Sequence, residues 1–410
     1  MRVLMTVSAW SGLYRSLVPL GWALQAAGHN VRVACHESEV ATLSGAGLTP
    51  VALTDGWDAK FSARLKNYLI ATAGMWPWPQ LPLHPITAEP MQQLSDFNFD
   101  AFMRVQRPAL ERQLRVSTDA VVEFARAWRP RIVIHDVLSL EGLLAAKVTG
   151  VPAFAHPWGP LGTAEEDPEA AMVPADVSCA FTRYGCLPMS FDHVDYFIDP
   201  CPPSLAPPTM AVRLPVRYVP YNGPVVIQPW TLSPPSRKRV GIVWGNSVTP
   251  VFGPDSWLVP TFIEALSGLD VETVITLNQA DFDAMDCVPD NVRLVQNVPV
   301  HTFWESCSVV IHHGGGNSVL NGAFAGVPQL CVSLGHDQHV IGQRLAATGA
   351  GLQLPAYELD AAMLRAAVTE LLTQPSYAEA ARRLRDEVLA APSAAELVTT
   401  MEEIAQRASC

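Results

Sequence analysis

The chain has 410 residues, of which 49% are hydrophobic and 16% charged, enough apolar sequence for two or three domains with sizeable cores. Its formal net charge is −12 and its 27 basic residues form no long block, so the composition disfavours a nucleic-acid partner. The 35 prolines exceed the usual share of about 5%, which predicts many loops and element ends.

The N-terminus lacks the pattern of a secretory signal, because it carries one positive charge and only a short apolar run. No apolar run approaches the roughly 18 residues that would cross a bilayer. The eight cysteines are scattered and form no C-x-x-C pair. We therefore expect a cytoplasmic protein with reduced cysteines and no membrane association.

The first half of the chain alternates strand and helix patterns. Strands are predicted at residues 3–7, 31–35, 131–135 and 152–155, and helices at residues 14–27, 108–128 and 139–148. Gly28 and Gly150 follow helical patterns, as is typical of helix-ending glycines. Strand, helix and strand in this order predict parallel pairing with right-handed crossovers.

A proline-rich stretch interrupts this pattern at residues 199–236, and the alternation restarts at residue 239. Further strands are predicted at 240–244, 273–277, 292–295, 309–311 and 330–332, and helices at 257–266, 317–325, 338–347, 358–372, 376–389 and 394–408. The pattern predicts an α/β chain with two doubly wound, Rossmann-like domains facing a cleft. The ligand should lie in that cleft, at the carboxyl ends of the strands.

These patterns give four predicted regions. They are a first domain at residues 1–205, a linker region at 206–236, a second domain at 237–390, and a C-terminal helix at 391–410 that packs back on the first domain.

Residues 54–107 do not fit the alternation. They combine prolines with aromatic residues, among them Trp57, Trp76, Trp78, Phe97, Phe99 and Phe102. One interpretation is a loop packed by its own aromatic side chains. The other is a mobile lid over a large, flat apolar ligand.

The strongest local motif follows the predicted strand at 309–311, where His312 and His313 precede three glycines and a helix. Glycines let the backbone approach a ligand closely, and the free N–H groups of a helix start favour a diphosphate. The motif lacks the Gly-Lys-Ser/Thr ending of a Walker A loop, and Val319 breaks G-x-G-x-x-G. The alternative is a tight turn with satisfied core histidines.

This motif, continued by residues 326–328 and 335–338, resembles the donor signature of inverting glycosyltransferases with the GT-B fold (glycosyltransferase family 1). The chain is most similar to the actinobacterial enzymes that transfer dTDP-deoxysugars to polyketides. Residues 19–31 resemble the family's first helix and second strand, and residues 199–203 its linker. The resemblance implies that the first domain binds the acceptor and the second binds the nucleotide-sugar donor.

The resemblance also implies the donor site. His313 and the backbone of residues 315–318 would hold the pyrophosphate, Val298 would contact the base, and the side chains of residues 337–338 would bind the sugar hydroxyls. The implied donor residues are Asn246, Ser247, Val298, His313, Gly315, Gly316, Asn317, Ser318, Asp337 and Gln338. For Asp337, the alternative is a helix N-cap. We expect no cofactor and no metal, because amides and a histidine stabilise the leaving diphosphate and no carboxylate cluster has metal-ligand spacing.

Inverting transfer needs a base to remove the acceptor's proton. Family members usually place a histidine before the first helix, paired with an aspartate, but here the histidine position is Leu13. The aspartate position is Asp136, which is therefore the predicted catalytic residue. A poorly solvated carboxylate there would have a raised pKa.

The missing histidine allows three interpretations. Asp136 acts directly as base, which suits an acidic phenol and allows a C-glycosidic bond, because a phenolate activates the neighbouring ring carbon. Alternatively, His135 or Tyr14 replaces the histidine. Third, the chain is a catalytically weak homologue that binds the donor as an accessory protein.

The sequence thus predicts transfer of a dTDP-linked deoxysugar to a hydrophobic, aromatic polyketide acceptor in antibiotic biosynthesis. The predicted acceptor-binding residues are Trp10, Leu13, Tyr14, Trp76 and Trp78. No nucleic acid or membrane is expected as a partner, and a homodimer is one expected assembly state. A nucleotide-sugar 2-epimerase is the alternative enzyme, whereas a dehydrogenase is disfavoured because neither half carries G-x-G-x-x-G with an acidic residue about 20 residues on.

Overall fold

A computed structural model of the protein describes residues 1–55, 58–167, 170, 176–245, 247–285 and 288–408. The predicted donor residue Asn246 and the aromatic residue Trp57 lie outside the described residues.

In the described part of the chain, the N-terminal half forms a seven-stranded sheet whose strand pairs are all parallel. Its strands are β1 (Arg2–Thr6), β2 (Asn30–His36), β3 (Pro50–Thr54), β4 (Ile132–Asp136), β5 (Ala153–His156), β6 (Tyr196–Asp199) and β7 (Val212–Pro215). They lie in the order β3-β2-β1-β4-β5-β6-β7. Its apolar strands, such as the fully buried β4, are typical of parallel sheets covered on both faces.

Helices separate these strands and cover the sheet. They are α1 (Ser11–Tyr14), α2 (Val18–Ala26), α3 (Val40–Gly45), α4 (Ala59–Thr72), α5 (Phe99–Ala101), α6 (Arg107–Trp128), α7 (Leu140–Thr149) and α8 (Ala180–Arg183). A π-helical turn at Phe102–Gln106 leads into α6. Gly28 and Gly150 adopt positive φ angles of 82° and 69° after α2 and α7, in agreement with their predicted place at helix ends.

The C-terminal half forms a second parallel sheet, with six strands among the described residues. They are β8 (Lys238–Val243), β9 (Val271–Leu277), β10 (Val292–Gln296), β11 (Val309–His312), β12 (Gln329–Ser333) and β13 (Gly351–Pro355), in the order β10-β9-β8-β11-β12-β13. Its helices are α9 (Val248–Phe252), α10 (Val259–Leu266), α11 (Gln279–Asp283), α12 (Gly316–Ala325), α13 (His336–Ala347), α14 (Ala361–Thr373), α15 (Pro375–Ala390) and α16 (Ala394–Arg407).

Both sheets reverse their winding direction at one point. In the first sheet the reversal lies between β1 and β4, and in the second between β8 and β11. In doubly wound sheets, ligands bind in the crevice outside the carboxyl ends of the two strands at such a point. The predicted class, two doubly wound Rossmann-like sheets in an α/β chain, is confirmed, and the topology points to the loops after β1, β4, β8 and β11.

The proline-rich passage between the halves begins later than predicted. β7, at Val212–Pro215, pairs with β6, so the first sheet extends into the predicted linker of residues 206–236. β7 lies at the edge of the sheet. Pro215 has no backbone N–H to donate, which an edge strand tolerates because no further strand pairs with its outer side. The prolines therefore predicted the approximate position of the linker between the halves, but not the residue at which the first sheet ends.

The segment at 54–107 is neither a bare loop nor a free lid. It contains the 14-residue helix α4, which the sequence analysis did not predict. Arg64 of α4 donates to the Pro250 carbonyl at 3.0 Å, and Asn67 donates to the Val251 carbonyl at 3.3 Å. Both carbonyls belong to α9, so this segment of the N-terminal half is bonded to the C-terminal half.

The last helix returns to the N-terminal half. Leu397 and Met401 of α16 share a hydrophobic cluster with Val3 and Leu20, and Arg131 donates to the Ala405 carbonyl at 3.0 Å. Within the described ranges, no helix combines the length and the apolar character that crossing a membrane requires.

Candidate active site

The loop after β11 lies at the reversal point of the second sheet and begins with two histidines of different roles. His312 is fully buried; its Nδ1 accepts from the Gly314 amide at 3.1 Å and its Nε2 donates to the Gln329 side chain at 2.9 Å. Burial lowers the pKa of His312 to about 4, so the ring is neutral near pH 7. His312 is thus the satisfied core histidine that shapes the loop.

His313 lies in a space that two glycines leave open. A Cβ atom added to Gly245 would lie 2.5 Å from His313 Cε1, and one added to Gly315 would lie 2.8 Å from His313 Nε2. His313 Nδ1 is buried and finds no hydrogen-bond partner among the described residues. A buried polar atom without a protein partner is a candidate to bind a ligand. A phosphate oxygen is a suitable partner, because an imidazole N–H can donate a hydrogen bond to it.

The start of α12 supplies backbone donors beside this ring. Gly316 and Asn317 occupy the first turn, whose N–H groups have no partner within the helix. The Ser318 amide is predicted to bind the pyrophosphate, but in the structure it donates to the Gly315 carbonyl at 2.8 Å. The tight turn at the helix start therefore leaves residues 315–317 as the backbone part of the candidate diphosphate site.

Asn317 is held by a polar network that the sequence analysis missed. Its side-chain oxygen accepts from the Tyr218 hydroxyl at 2.5 Å, and its amide nitrogen donates to Asn222 Oδ1 at 3.0 Å. Asn222 Nδ2 in turn lies 2.9 Å from Asn321 Oδ1 and 3.0 Å from His301 Nδ1. The passage between the halves, the first turn of α12 and the loop after β10 are thus joined through one side chain, Asn222.

Val298 and Ser247, the predicted base and sugar contacts, both follow strands of the second sheet. The Val298 carbonyl, in the loop after β10, accepts from the Thr276 hydroxyl at 2.9 Å, which fixes that loop to β9. Ser247 precedes α9 at the carboxyl end of β8. Ser247 thus follows a strand at the reversal point between β8 and β11, whereas Val298 follows the edge strand β10.

Asp337 and Gln338 lie in the first turn of α13. Gln338 Oε1 accepts from the Leu334 amide at 2.9 Å, so only its amide nitrogen remains to donate to a sugar hydroxyl. Asp337 does not cap the helix, because the N-cap residue is Gly335. Burial raises the pKa of Asp337, and the positive charge of Lys66 from α4 opposes that rise.

The two halves touch at the head of α12. A Cβ atom added to Gly316 would lie 2.6 Å from the Gly159 Cα and 2.8 Å from the Trp158 carbonyl oxygen, in the loop after β5. The same loop carries Glu165, whose carboxylate accepts from Arg344 of α13 at 2.5 Å and 2.9 Å. The structure therefore holds the cleft closed beside the candidate diphosphate site.

Asp136, the predicted base, is fully buried at the carboxyl end of β4. Among the described residues, four donors reach its carboxylate: the Ser8 amide at 2.6 Å, the Ser8 hydroxyl at 2.7 Å, and the Leu138 and Ser139 amides at 2.9 Å. Burial raises the pKa of Asp136, and these four hydrogen bonds oppose that rise. The geometry thus favours a structural role, in which Asp136 ties the loop after β1 to the turn before α7.

The two substitute bases are also enclosed. His135 Nδ1 lies 2.8 Å from the Asp136 carbonyl, and burial lowers the pKa of His135 to about 4. The Tyr14 hydroxyl donates to Glu39 at 2.5 Å in the interior, and burial raises the pKa of that phenol. The Tyr14 hydroxyl is thus engaged as a donor, whereas His135 Nε2 is buried and finds no hydrogen-bond partner among the described residues.

The predicted acceptor residues separate into two groups. Leu13 packs at the edge of a hydrophobic cluster, whereas Tyr14 is buried with its hydroxyl engaged. Trp10 and Trp76 are partly exposed and pack against a cluster of the C-terminal half, where Trp76 stacks on Phe252 at 6.4 Å.

Trp78 is predicted to contact the acceptor, but the structure places its side chain in the core. Its side chain is 7% exposed and packs against Phe252 and Tyr357, with ring centroids 6.3 Å and 6.1 Å away. Trp78 therefore anchors the 54–107 segment to the C-terminal half. Among the described residues, no group of three or more histidine, cysteine or acidic side chains is arranged to hold a metal ion.

Two family models match the chain. Residues 105–245 match the erythromycin biosynthesis protein CIII-like N-terminal domain, and residues 261–404 match the corresponding C-terminal domain. A 10-deoxymethynolide desosaminyltransferase of Streptomyces venezuelae is 35% identical, over 99% of this chain and 97% of that protein. An aklavinone 7-beta-L-rhodosaminyltransferase of Streptomyces galilaeus is 32% identical, over 98% and 96%.

The solved structure of glycosyltransferase VinC in complex with dTDP is similar throughout. It superposes with a TM-score of 0.73 and 29% identity, and the match covers 99% of this chain and 100% of VinC. This likeness confirms the GT-B architecture. The chain therefore belongs to the EryCIII-like family of glycosyltransferases of antibiotic biosynthesis, whose relatives here are named as deoxysugar transferases.

Proposed function

We propose that this glycosyltransferase moves a deoxysugar from a dTDP-sugar to a hydrophobic polyketide acceptor, with inversion at the anomeric carbon, in the cytoplasm. The observation that carries the proposal is the joint geometry of His313 and the first turn of α12. There, a buried, unpartnered ring nitrogen lies beside free backbone amides at a sheet reversal point. Family membership supports the reaction type.

The donor would lie along the second sheet. The amides of residues 315–317 and the His313 ring would neutralise the diphosphate as the C1–O bond breaks, because fixed dipoles at a closed site stabilise developing charge. Val298 would contact the thymine by its backbone. The Asp337 carboxylate and the Gln338 amide nitrogen would orient the sugar hydroxyls.

The acceptor would lie against the first sheet, between the loop after β1 and the start of α7. Trp10, Leu13 and Trp76 supply partly exposed apolar surface for it. A C-glycosidic bond was predicted on the basis that Asp136 acts directly as base. Because four donors already reach that carboxylate, we propose transfer to a hydroxyl oxygen instead.

The test is transfer by the purified chain. It is incubated with dTDP-desosamine or dTDP-rhodosamine and with 10-deoxymethynolide or aklavinone, and products are followed by mass spectrometry with dTDP release. Donor-dependent product that acid hydrolysis converts back to aglycone supports O-transfer, whereas an acid-stable product contradicts it. Binding of dTDP without product from any pair supports the accessory-protein alternative, and epimerised donor without acceptor supports the 2-epimerase.

A further inference from the structure

We propose that Glu141 is the residue that takes the proton from the acceptor, an inference that rests on the transferase activity proposed above. The acceptor O–H bond breaks and its proton moves to the Glu141 carboxylate. The oxygen forms the new bond to the anomeric carbon as the bond to the diphosphate breaks, and dTDP leaves with that electron pair. Nothing else is consumed in the step.

Glu141 is placed by the start of α7, at the reversal point of the first sheet. α7 begins four residues after the end of β4. Its Gly142 packs against β1 and β4 so closely that an added Cβ atom would lie 2.8 Å from the His135 Cβ and would collide with the Thr6 side chain. Consecutive helical residues are rotated by about 100°, so Glu141 lies off the face that Gly142 presses onto the sheet.

The Glu141 carboxylate also accepts fewer hydrogen bonds than that of Asp136. Its one side-chain partner among the described residues is the Ser139 hydroxyl, which donates to Oε2 at 3.2 Å. Glu141 is partly exposed, whereas Asp136 is fully buried. A base must accept a new proton, which requires a free lone pair; with its own backbone amide and the Ser139 hydroxyl as donors, the Glu141 carboxylate still has lone pairs available.

Leu138 and Leu140, just before Glu141, pack against the same hydrophobic cluster as Leu13, the position that lacks the family's histidine. This cluster also contains Val319 and Leu320 of α12. The turn that leads into α7 therefore borders the same apolar region as the loop after β1. A carboxylate at the start of α7 can serve an acceptor lying on that surface.

The electrostatic environment suits the task. Burial raises the pKa of Glu141, hydrogen bonds from its own backbone amide and from the Ser139 hydroxyl oppose the rise, and the negative charge of Asp136 adds to it. A raised pKa makes the carboxylate a stronger proton acceptor than an ordinary glutamate. His135 on β4 and His156 on β5 flank Asp136, and both are neutral near pH 7 because burial lowers their pKa, to about 4 and about 3.

The experiment compares Glu141→Ala with Glu123→Ala, a matched change at an exposed position on α6 of the same half. Turnover is measured with dTDP-rhodosamine and aklavinone, with and without added sodium formate, and dTDP affinity is measured by calorimetry. We expect Glu141→Ala to lower kcat by about 10²- to 10⁴-fold with unchanged dTDP affinity, since that is the usual contribution of a general base. Formate should restore part of the rate by taking the missing carboxylate's place, and Glu123→Ala should match the wild type.

Two further variants separate catalysis from structure. Glu141→Gln keeps the shape but cannot take the proton, so it should stay inactive without formate, whereas Glu141→Asp should keep part of the activity. Loss of turnover together with loss of dTDP binding or of thermal stability, without formate rescue, would show a structural role and overturn the proposal. Turnover of Glu141→Gln within threefold of wild type would also overturn it while leaving the transferase function intact, whereas an inactive wild type would remove both.

Discussion

Gly159 and Gly316 meet across the cleft, each occupying the space that a side chain on the other would need. An added Cβ at Gly316 would lie 2.6 Å from the Gly159 Cα; Gly159 follows β5 of the first sheet, and Gly316 begins α12 after β11 of the second. This contact lies at the first turn of α12, where the diphosphate is proposed to bind. Closure of the cleft and the geometry of the donor site therefore depend on the same pair of residues.

Replacing Gly316 by alanine should hold the two halves apart. The added methyl group meets backbone atoms that cannot move aside, so we expect a loss of about 1–3 kcal/mol in stability, typical of overpacking. Weaker dTDP binding should accompany it. Gly45→Ala is the control, because nothing lies within 4 Å of its added Cβ. Calorimetry and thermal unfolding measure both effects, and a Gly316→Ala chain with wild-type affinity would contradict the close approach.

Asp136→Asn should destabilise the fold whatever its effect on catalysis. An amide replaces one acceptor oxygen by a donor that faces other donors, so at least one hydrogen bond to a charged group is lost. We expect a loss of about 2–3 kcal/mol in the free energy of unfolding, measured in urea. The exposed Asp100→Asn is the matched control. Wild-type stability of Asp136→Asn would show that the carboxylate is not held as described.

Asn222→Ala should weaken donor binding from outside the diphosphate site. The change removes the bonds from Asn222 to Asn317, Asn321 and His301, which steady the first turn of α12. A rise of about tenfold in the dTDP dissociation constant is expected, equivalent to about 1.4 kcal/mol. The exposed Asn30→Ala should leave the constant unchanged. An unaltered constant in Asn222→Ala would separate the network from the donor site.

His312 should make the fold sensitive to acid. Its pKa falls from 6.5 to about 4 on folding because of burial, so the unfolded chain binds its proton first as the pH drops. The stability that neutral His312 supplies is complete above about pH 6.5 and is lost as the pH falls toward 4. Between pH 7 and 5 this residue alone should remove about 2 kcal/mol.

The measurement compares wild type with His312→Gln, which cannot titrate. The comparison is needed because Asp136, Glu141 and Asp337 have raised pKa values and act in the opposite sense. Urea unfolding at pH 7 and pH 5 should show a smaller acid loss in His312→Gln than in wild type. Equal losses in the two proteins would mean that His312 is not buried as a neutral ring.

The sequence by itself determined the two alternating α/β halves and the glycine-rich turn after the two histidines. These depend on local patterns, namely the spacing of apolar residues, glycine after a helix and glycine where the backbone must pass close to a ring. Helix α4 and strands β3, β6, β7 and β13 were not predicted. Aromatic and proline-rich sequence obscures the patterns of α4 and β7, β3 and β13 are short edge strands, and β6 has only four residues.

The roles of individual polar side chains were decided only by the tertiary structure. Ser8 and Asp136 lie 128 positions apart in the chain, yet their bonds determine whether that carboxylate is free to act as a base. The spacing of Asn317 and Asn321 on one helix face was a signal for a shared partner, but Asn222 lies about 95 residues away and only folding brings it near. Whether a polar atom is satisfied depends on distant residues, so its chemistry is a property of the folded chain.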